Sequence, residues 1–298
     1  MDLRGKTVLV TGAARGIGAE SARQLSARGA RVALVGLEPG ELARVAAQCG
    51  PEAAAFEADV TDNDALAAAV AAAVERFGGI DVVIANAGVA PTGFVRSMDP
   101  AAFERTIEVN LLGVWRTVRA CLPHVIERRG YVLVIASLAA ASHGPGLAAY
   151  SASKAGSEAF ANCLRAEVKH LGVDVGVGYF AFLDTELVRA ADSHPLFGGI
   201  RKQLPGPFGK TYPLGDAVRK IVEGVERRGR VVAFPGWVKA MLVLRGVTGP
   251  LADRGSGRQV AEIDAAFSQD VAERGAEAAS ALVGAGGEAA RRSETPVA

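Results

Sequence analysis

Short apolar runs rich in β-branched residues recur through the first 235 residues, and a longer helical segment separates most neighbouring runs. The runs are Thr7–Val10, Arg31–Val35, Ala54–Glu57, Val82–Ala85, Tyr131–Ile135, Asp174–Tyr179 and Val231–Phe234. Helical patterns cover Gly16–Ala27, Asp62–Phe77, Phe103–Arg128 and Tyr150–His170. Strands that are apolar throughout must be covered on both faces, and a helix after each strand supplies that cover. The pattern therefore predicts an α/β fold, a doubly wound parallel sheet whose ligands sit beyond the carboxyl ends of its strands. With 298 residues, half of them apolar, the chain is long enough to bury a large core.

Two regions break the rhythm. Residues 187–213, "LVRAADSHPLFGGIRKQLPGPFGKTYP", are rich in glycine, proline and aromatics and read as a mobile flap over the strand ends. From Trp237 the alternation stops, so residues 1–236 read as the catalytic domain and 237–298 as a C-terminal extension. Within the extension, Val260–Val283 has an alanine-rich helical pattern, and the final "GAGGEAARRSETPVA" reads as disordered. The apolar, partly basic "WVKAMLVLRGV" admits packing on the body or peripheral contact with a membrane surface, and its shortness favours packing.

A net charge of +1 without a long basic run gives no sign of a nucleic-acid partner. No uncharged apolar stretch reaches the roughly 18–20 residues that a membrane span needs. Cys49, Cys121 and Cys163 are far apart, lack metal-ligand spacing and read as structural thiols in a reducing compartment. Together with a first strand that begins almost at once and therefore leaves no room for a signal peptide, this predicts a cytoplasmic location. The excess of arginine over lysine and the abundant alanine hint at a GC-rich bacterial source.

Two short motifs carry chemistry. "TGAARGIG", Thr11 to Gly18, joins the first strand to the first helix. Gly12, Gly16 and Gly18 permit a tight turn and close backbone approach to a phosphate, and the helix N-terminus offers amides to an anion. "GLAAYSASKAG" keeps one tyrosine and one lysine four residues apart among small neighbours. On a helix, Tyr150 and Lys154 share a face and can reach a common partner.

The glycine spacing, "NAG" at Asn86–Gly88, Asn110, Ser137 and the Tyr150–Lys154 pair together resemble the short-chain dehydrogenase/reductase family, in order, over roughly residues 5–235. The resemblance implies a Rossmann-type sheet of about seven strands and a nicotinamide cofactor. It also implies a catalytic set of Asn110, Ser137, Tyr150 and Lys154. Gly12, Arg15, Gly16, Ile17 and Gly18 would hold the phosphates, and Gly36 and Leu37 the adenine ribose. Asp59 and Val60 would flank the adenine, Asn86, Ala87 and Gly88 would line the channel, and Leu183 and Thr185 would contact the nicotinamide end. Tyr150 would act as general acid or base, Ser137 would hold the substrate oxygen, and Lys154 would bind the ribose. Asn110 would hold a water leading from Lys154 to solvent. A phenol with a pKa near 10 would need to be lowered, by Lys154 and an oxidised nicotinamide, by about three units or about 4 kcal/mol.

Three positions depart from the family pattern. Phe180 and Ala181 stand where relatives carry Pro-Gly, so Phe182 or Leu183 could pack on the nicotinamide. Gly36 replaces the acidic residue of NAD-using relatives, and Arg15 stands where NADP-using relatives often have a base. Together these two lean toward NADP over NAD, although Glu38 could reach a ribose. The last strand lacks the ending common in tetrameric relatives, which leaves a homodimer or homotetramer through the long helices at Phe103–Arg128 and Tyr150–His170. Leu138, His143, Phe182 and Leu187 are the expected substrate walls, and their apolar character predicts a small hydrophobic ketone or secondary alcohol. The alternative readings are a catalytically idle, cofactor-sensing or scaffold relative, and sugar-nucleotide epimerase or dehydratase chemistry.

Overall fold

The computed structural model describes residues 1–193, 198–199, 201, 204, 206–253 and 257–292. Seven strands, β1 (Thr7–Thr11), β2 (Arg31–Gly36), β3 (Ala53–Glu57), β4 (Val82–Ala85), β5 (Tyr131–Ile135), β6 (Asp174–Phe180) and β7 (Val231–Phe234), pair in the order β3-β2-β1-β4-β5-β6-β7. Every pairing is parallel. β1, β4 and β5 are buried along their whole length, which is why their sequences are apolar without alternation. β3 at the edge is half-exposed and mostly alanine.

Helices cover both faces. On one side α3 (Asn63–Phe77), α5 (Gly113–Glu127) and α6 (Ala148–Val168) bury Leu66, Val70, Val118, Cys121 and Leu164 against the sheet. On the other, α1 (Gly16–Ser26), α2 (Pro39–Cys49) and α8 (Leu214–Arg227) bury Leu25, Leu42, Val45 and Ile221. Strand order reverses between β1 and β4, so the loops leaving them run to opposite sides and open a crevice between them.

The helical pattern at Phe103–Arg128 is not one helix. α4 (Pro100–Ile107) starts on an Asp99 cap, Glu108–Leu112 forms a π-helical turn, and α5 follows. The wider turn carries Asn110, and Gly113 just after it lets the helix come close to Val60. A Cβ at Gly113 would lie 2.7 Å from Val60 Cγ2.

The expected flap begins as a regular element, because α7 (Glu186–Ser193) is helical and Thr185 Oγ1 accepts the Val188 amide. Parts of that flap, 194–197, 200, 202–203 and 205, lie outside the described residues. Its described remainder is knitted around Arg201, which ion-pairs with Asp192 and donates to Gly209 O and Thr211 Oγ1.

The extension forms α9 (Trp237–Asp253), α10 (Gly257–Arg274), α11 (Ala276–Ala279) and α12 (Gly284–Arg292). The first turns of α9 pack on the body: Val238 is buried, Leu242 meets the core and Trp237 Nε1 donates to Tyr212 Oη. Val243 and Val247 further along α9 are exposed. No helix among the described residues is long and apolar enough to cross a membrane. α10 lies on the loop after β4, with Phe267 against Phe94 and Arg96 paired to Asp264.

The disorder expected from Gly284 onward is corrected: Gly284–Arg292 is helical. Leu282 and Ala290 are buried on Val60, Val89 and Val109, and that burial orders a segment whose composition alone resembles a loop. Residues 293–298, also expected to be disordered, lie outside the described residues.

Candidate active site

The phosphate loop is fixed by β4. Asn86 Nδ2 donates to Thr11 O and Gly12 O, and the Asn86 and Ala87 amides donate to Thr11 Oγ1. These bonds draw the loop down on β4, leaving no room for a side chain at Gly12 or Gly18. A Cβ at Gly18 would stand 2.2 Å from Gly12 O, and Gly12 has a positive φ of 63° with Ala87 Cα close beneath it. Gly16, also at positive φ, faces the Thr185 methyl. Arg15, Gly16 and Ile17 at the start of α1 line the crevice. Gly18 serves the packing of helix on loop instead of lining it.

Tyr150 and Lys154 lie one turn apart on α6 and both face the crevice. Lys154 Nζ stands 5.8 Å from the Tyr150 ring centroid and donates to Ile135 O at 2.9 Å. Ser137, just beyond the end of β5, lies beside the Tyr150 side chain. Burial pushes the Tyr150 phenol above its ordinary value, and Ser137 beside it only partly offsets this. Burial also brings the Lys154 ammonium down to about 8. In the chain without a dinucleotide, desolvation is the larger influence on the phenol and Ser137 the smaller, opposing one.

Asn110 does not face the crevice. Its Oδ1 accepts the Val89 amide, while Nδ2 donates to Val89 O and Ser153 Oγ. Its main-chain carbonyl accepts from Ser157 Oγ. These bonds tie the chain after β4 to α6 and so set the separation of Gly88 from Lys154. A Cβ at Gly88 would come within 3.2 Å of Asn110 Oδ1 and 3.4 Å of Lys154 Nζ, so only glycine leaves the crevice floor open there.

At the other end, Gly36, Leu37, Asp59, Val60 and Ala87 line the crevice as the sequence implies. Arg15 is held by two carboxylates, Glu38 at 2.8 Å and Glu186 at 3.1 Å. Arg105 donates to Thr61 Oγ1 and pairs with Asp59 at 3.2 Å. The sequence reading missed Arg105, Glu186, Val109 and the segment Val283–Ala290, all of which line the same crevice. Arg105 belongs to no motif. The apolar spacing of Leu282 and Ala290 was the one signal for the tail.

Ala181 donates its amide to Phe234 O, extending the pairing of β6 with β7. The chain then pairs with Tyr212 through Phe182 O and the Asp184 amide. This path buries Leu183 in the core and places the Phe182 ring under the Arg201 guanidinium, 4.9 Å away. Neither lines the crevice, so the expected packing of Phe182 or Leu183 on the nicotinamide is corrected, while Thr185 does line it. Leu138 packs on the core, His143 is exposed and Leu187 lines the crevice.

Comparison with known proteins gives the family. The short chain dehydrogenase family model matches residues 6–195. An uncharacterized oxidoreductase of Myxococcus xanthus is 34% identical over 77% of this chain and 87% of its own length. The 3-oxoacyl-(acyl-carrier-protein) reductase of Escherichia coli is 31% identical, covering 73% of this chain and 90% of that one. A crystal structure of 3-ketoacyl-(acyl-carrier-protein) reductase from Brucella melitensis complexed with NADH aligns with a TM-score of 0.70 at 27% identity, over 78% of this chain and 97% of that one. The chain belongs to the short-chain dehydrogenase/reductase family of oxidoreductases.

Proposed function

We propose that the protein interconverts a hydrophobic ketone and a secondary alcohol with NAD as its dinucleotide, Tyr150 being the general acid/base. The observation that carries this reading is the Ser137–Tyr150–Lys154 cluster at one end of a glycine-floored crevice. The opening at Gly12, Gly16 and Gly88 fits a long, flat, anionic ligand. When bound, the nicotinamide supplies or accepts the hydride. Gly16 and the first amides of α1 would hold the pyrophosphate, and Lys154 the nicotinamide ribose. Tyr150, kept protonated by burial, would give its proton to the substrate oxygen in reduction and take it back in oxidation. Ser137 would hold that oxygen by a hydrogen bond. Asn110 would act as a positioning residue, keeping the chain after β4 at its distance from Lys154.

The pairing of Arg15 with Glu38 and Glu186 supports NAD against the lean to NADP that Gly36 and Arg15 carry in the sequence. A 2′-phosphate at that corner would face Glu38 and Glu186 with a single guanidinium already shared between them. The substrate class rests on a second, shallow cavity of about 490 Å³ beside the loop that leads into α6. Phe94, Val95, Pro145, Val260 and Ala261 make it apolar, and the Arg96–Asp264 pair marks its rim. Self-association through α5, where Trp115 is exposed, belongs to the same proposal.

Titration with NADH and NADPH, followed by nicotinamide fluorescence, tests the cofactor. NADH should bind about tenfold or more tightly than NADPH, and Glu38→Gln should narrow that gap. Tighter binding of NADPH would refute the NAD assignment, and binding of neither would refute the whole reading.

A further inference from the structure

The C-terminal helix lies across the crevice. Leu282 and Ala290 are 4% and 3% exposed in an apolar cluster with Val60, Val89 and Val109, and Leu37 and Ala87 pack against it. Val283 donates its amide to Ala90 O at 3.2 Å, and Arg105 Nη2 donates to Ala290 O at 2.9 Å. Gly284, at a φ of 79°, turns the chain against Leu187 and Ala190. Gly284–Gly287, Ala289 and Ala290 then roof the space between α1 and Arg105.

The apolar surface beneath Ala290 is the one on which the adenine would be seated. Leu37, Val60 and Ala87 give the docked tail apolar surface that an adenine seated there would take. With the tail in place the crevice retains about 220 Å³. Sites for ligands of drug size enclose roughly 300–1,000 Å³, and a dinucleotide belongs to the upper part of that range.

We infer that residues 282–292 are an intramolecular occupant of the adenine half of the crevice, displaced when the dinucleotide binds. This inference rests on the cofactor reading above. The tail and the dinucleotide compete, so the apparent affinity falls by the factor by which the docked tail is favoured over the open one. The tail is covalently attached, and a docked:open ratio of about ten would weaken binding about tenfold.

Two variants test it. A chain ending at Val283 removes α12 but keeps Leu282 and the Val283–Ala90 bond. The full-length Ala290→Glu variant puts a carboxylate into the apolar cluster and does not depend on how the shortened chain folds. Both should bind NADH about tenfold more tightly than the parent. In the parent, NADH should also speed amide hydrogen exchange across residues 284–290, because the displaced helix loses its protection. Equal or weaker binding by both variants, or slowed exchange on adding NADH, would overturn the inference and leave the cofactor reading standing. Failure of the parent and both variants to bind NADH or NADPH would overturn both.

Discussion

The floor of the crevice is made by the carboxyl ends of β1, β2, β4 and β5, and its roof by residues 283–290 of the extension. The floor is over-determined: fully buried strands, helices on both faces and the Asn86 bonds fix the glycine loop in one place. The roof is held by a small apolar cluster and few hydrogen bonds. A site that must keep its chemistry in register yet admit a large ligand needs that contrast, because the parts that move are drawn from the least stable part of a fold.

The largest effect expected from breaking the floor is at Gly18. Gly18→Ala would drive a methyl into Gly12 O, and either the loop or α1 must move. A loss of about 4 kcal/mol in denaturant unfolding, with dinucleotide binding lost as well, is the predicted outcome.

A paired truncation sharpens the comparison. Leu133 on β5 and Leu282 at the roof are both buried leucines. Leu133→Ala should cost about 3 kcal/mol of global stability, as a cavity in a core that cannot collapse. Leu282→Ala should leave the global transition within about 0.5 kcal/mol and speed amide exchange only in the extension. Equal global losses would show that floor and roof unfold together.

A smaller effect than at Gly18 or Leu133 is expected at Lys154, where function opposes stability. Its ammonium is depressed to about 8 by burial, so between pH 8 and the ordinary lysine value the unfolded chain holds a proton that the native chain has released. Stability therefore rises with pH through that window, and below it the burial cost is present in full. Lys154→Met should raise stability at pH 7 by about 1–2 kcal/mol, after the lost bond to Ile135 O is counted. The gain should shrink as pH rises above 8, as read from thermal unfolding across pH.

The same contrast explains what was legible in the sequence. The strands and the floor were readable because burial on both faces writes itself into unbroken apolar runs, and because a glycine turn directly after a strand has few other uses. Tyr150 and Lys154 were readable from their spacing on α6. The π-turn at Glu108–Leu112 was not, since its residues continue a helical pattern and only the contacts of Asn110 with Val89 and Ser153 reveal the extra residue. The roof was not, because "GAGGEAA" carries little local preference and is ordered by Val60, Val89 and Val109, far away in the chain. Arg105 and Glu186 enter the site for the same reason, as tertiary neighbours of Asp59 and Arg15. The desolvation of the Tyr150 phenol was not legible either, because spacing shows the neighbouring lysine and says nothing about burial.

The most direct test of the central claim is the Tyr150→Phe variant, assayed for NADH binding and for turnover of an apolar ketone on which the parent is active. Removing one hydroxyl from the crevice should leave NADH affinity within about twofold and lower turnover by about 10³-fold or more. Unchanged turnover would contradict the assignment of proton transfer to Tyr150, and with it the mechanism built on the Ser137–Tyr150–Lys154 cluster.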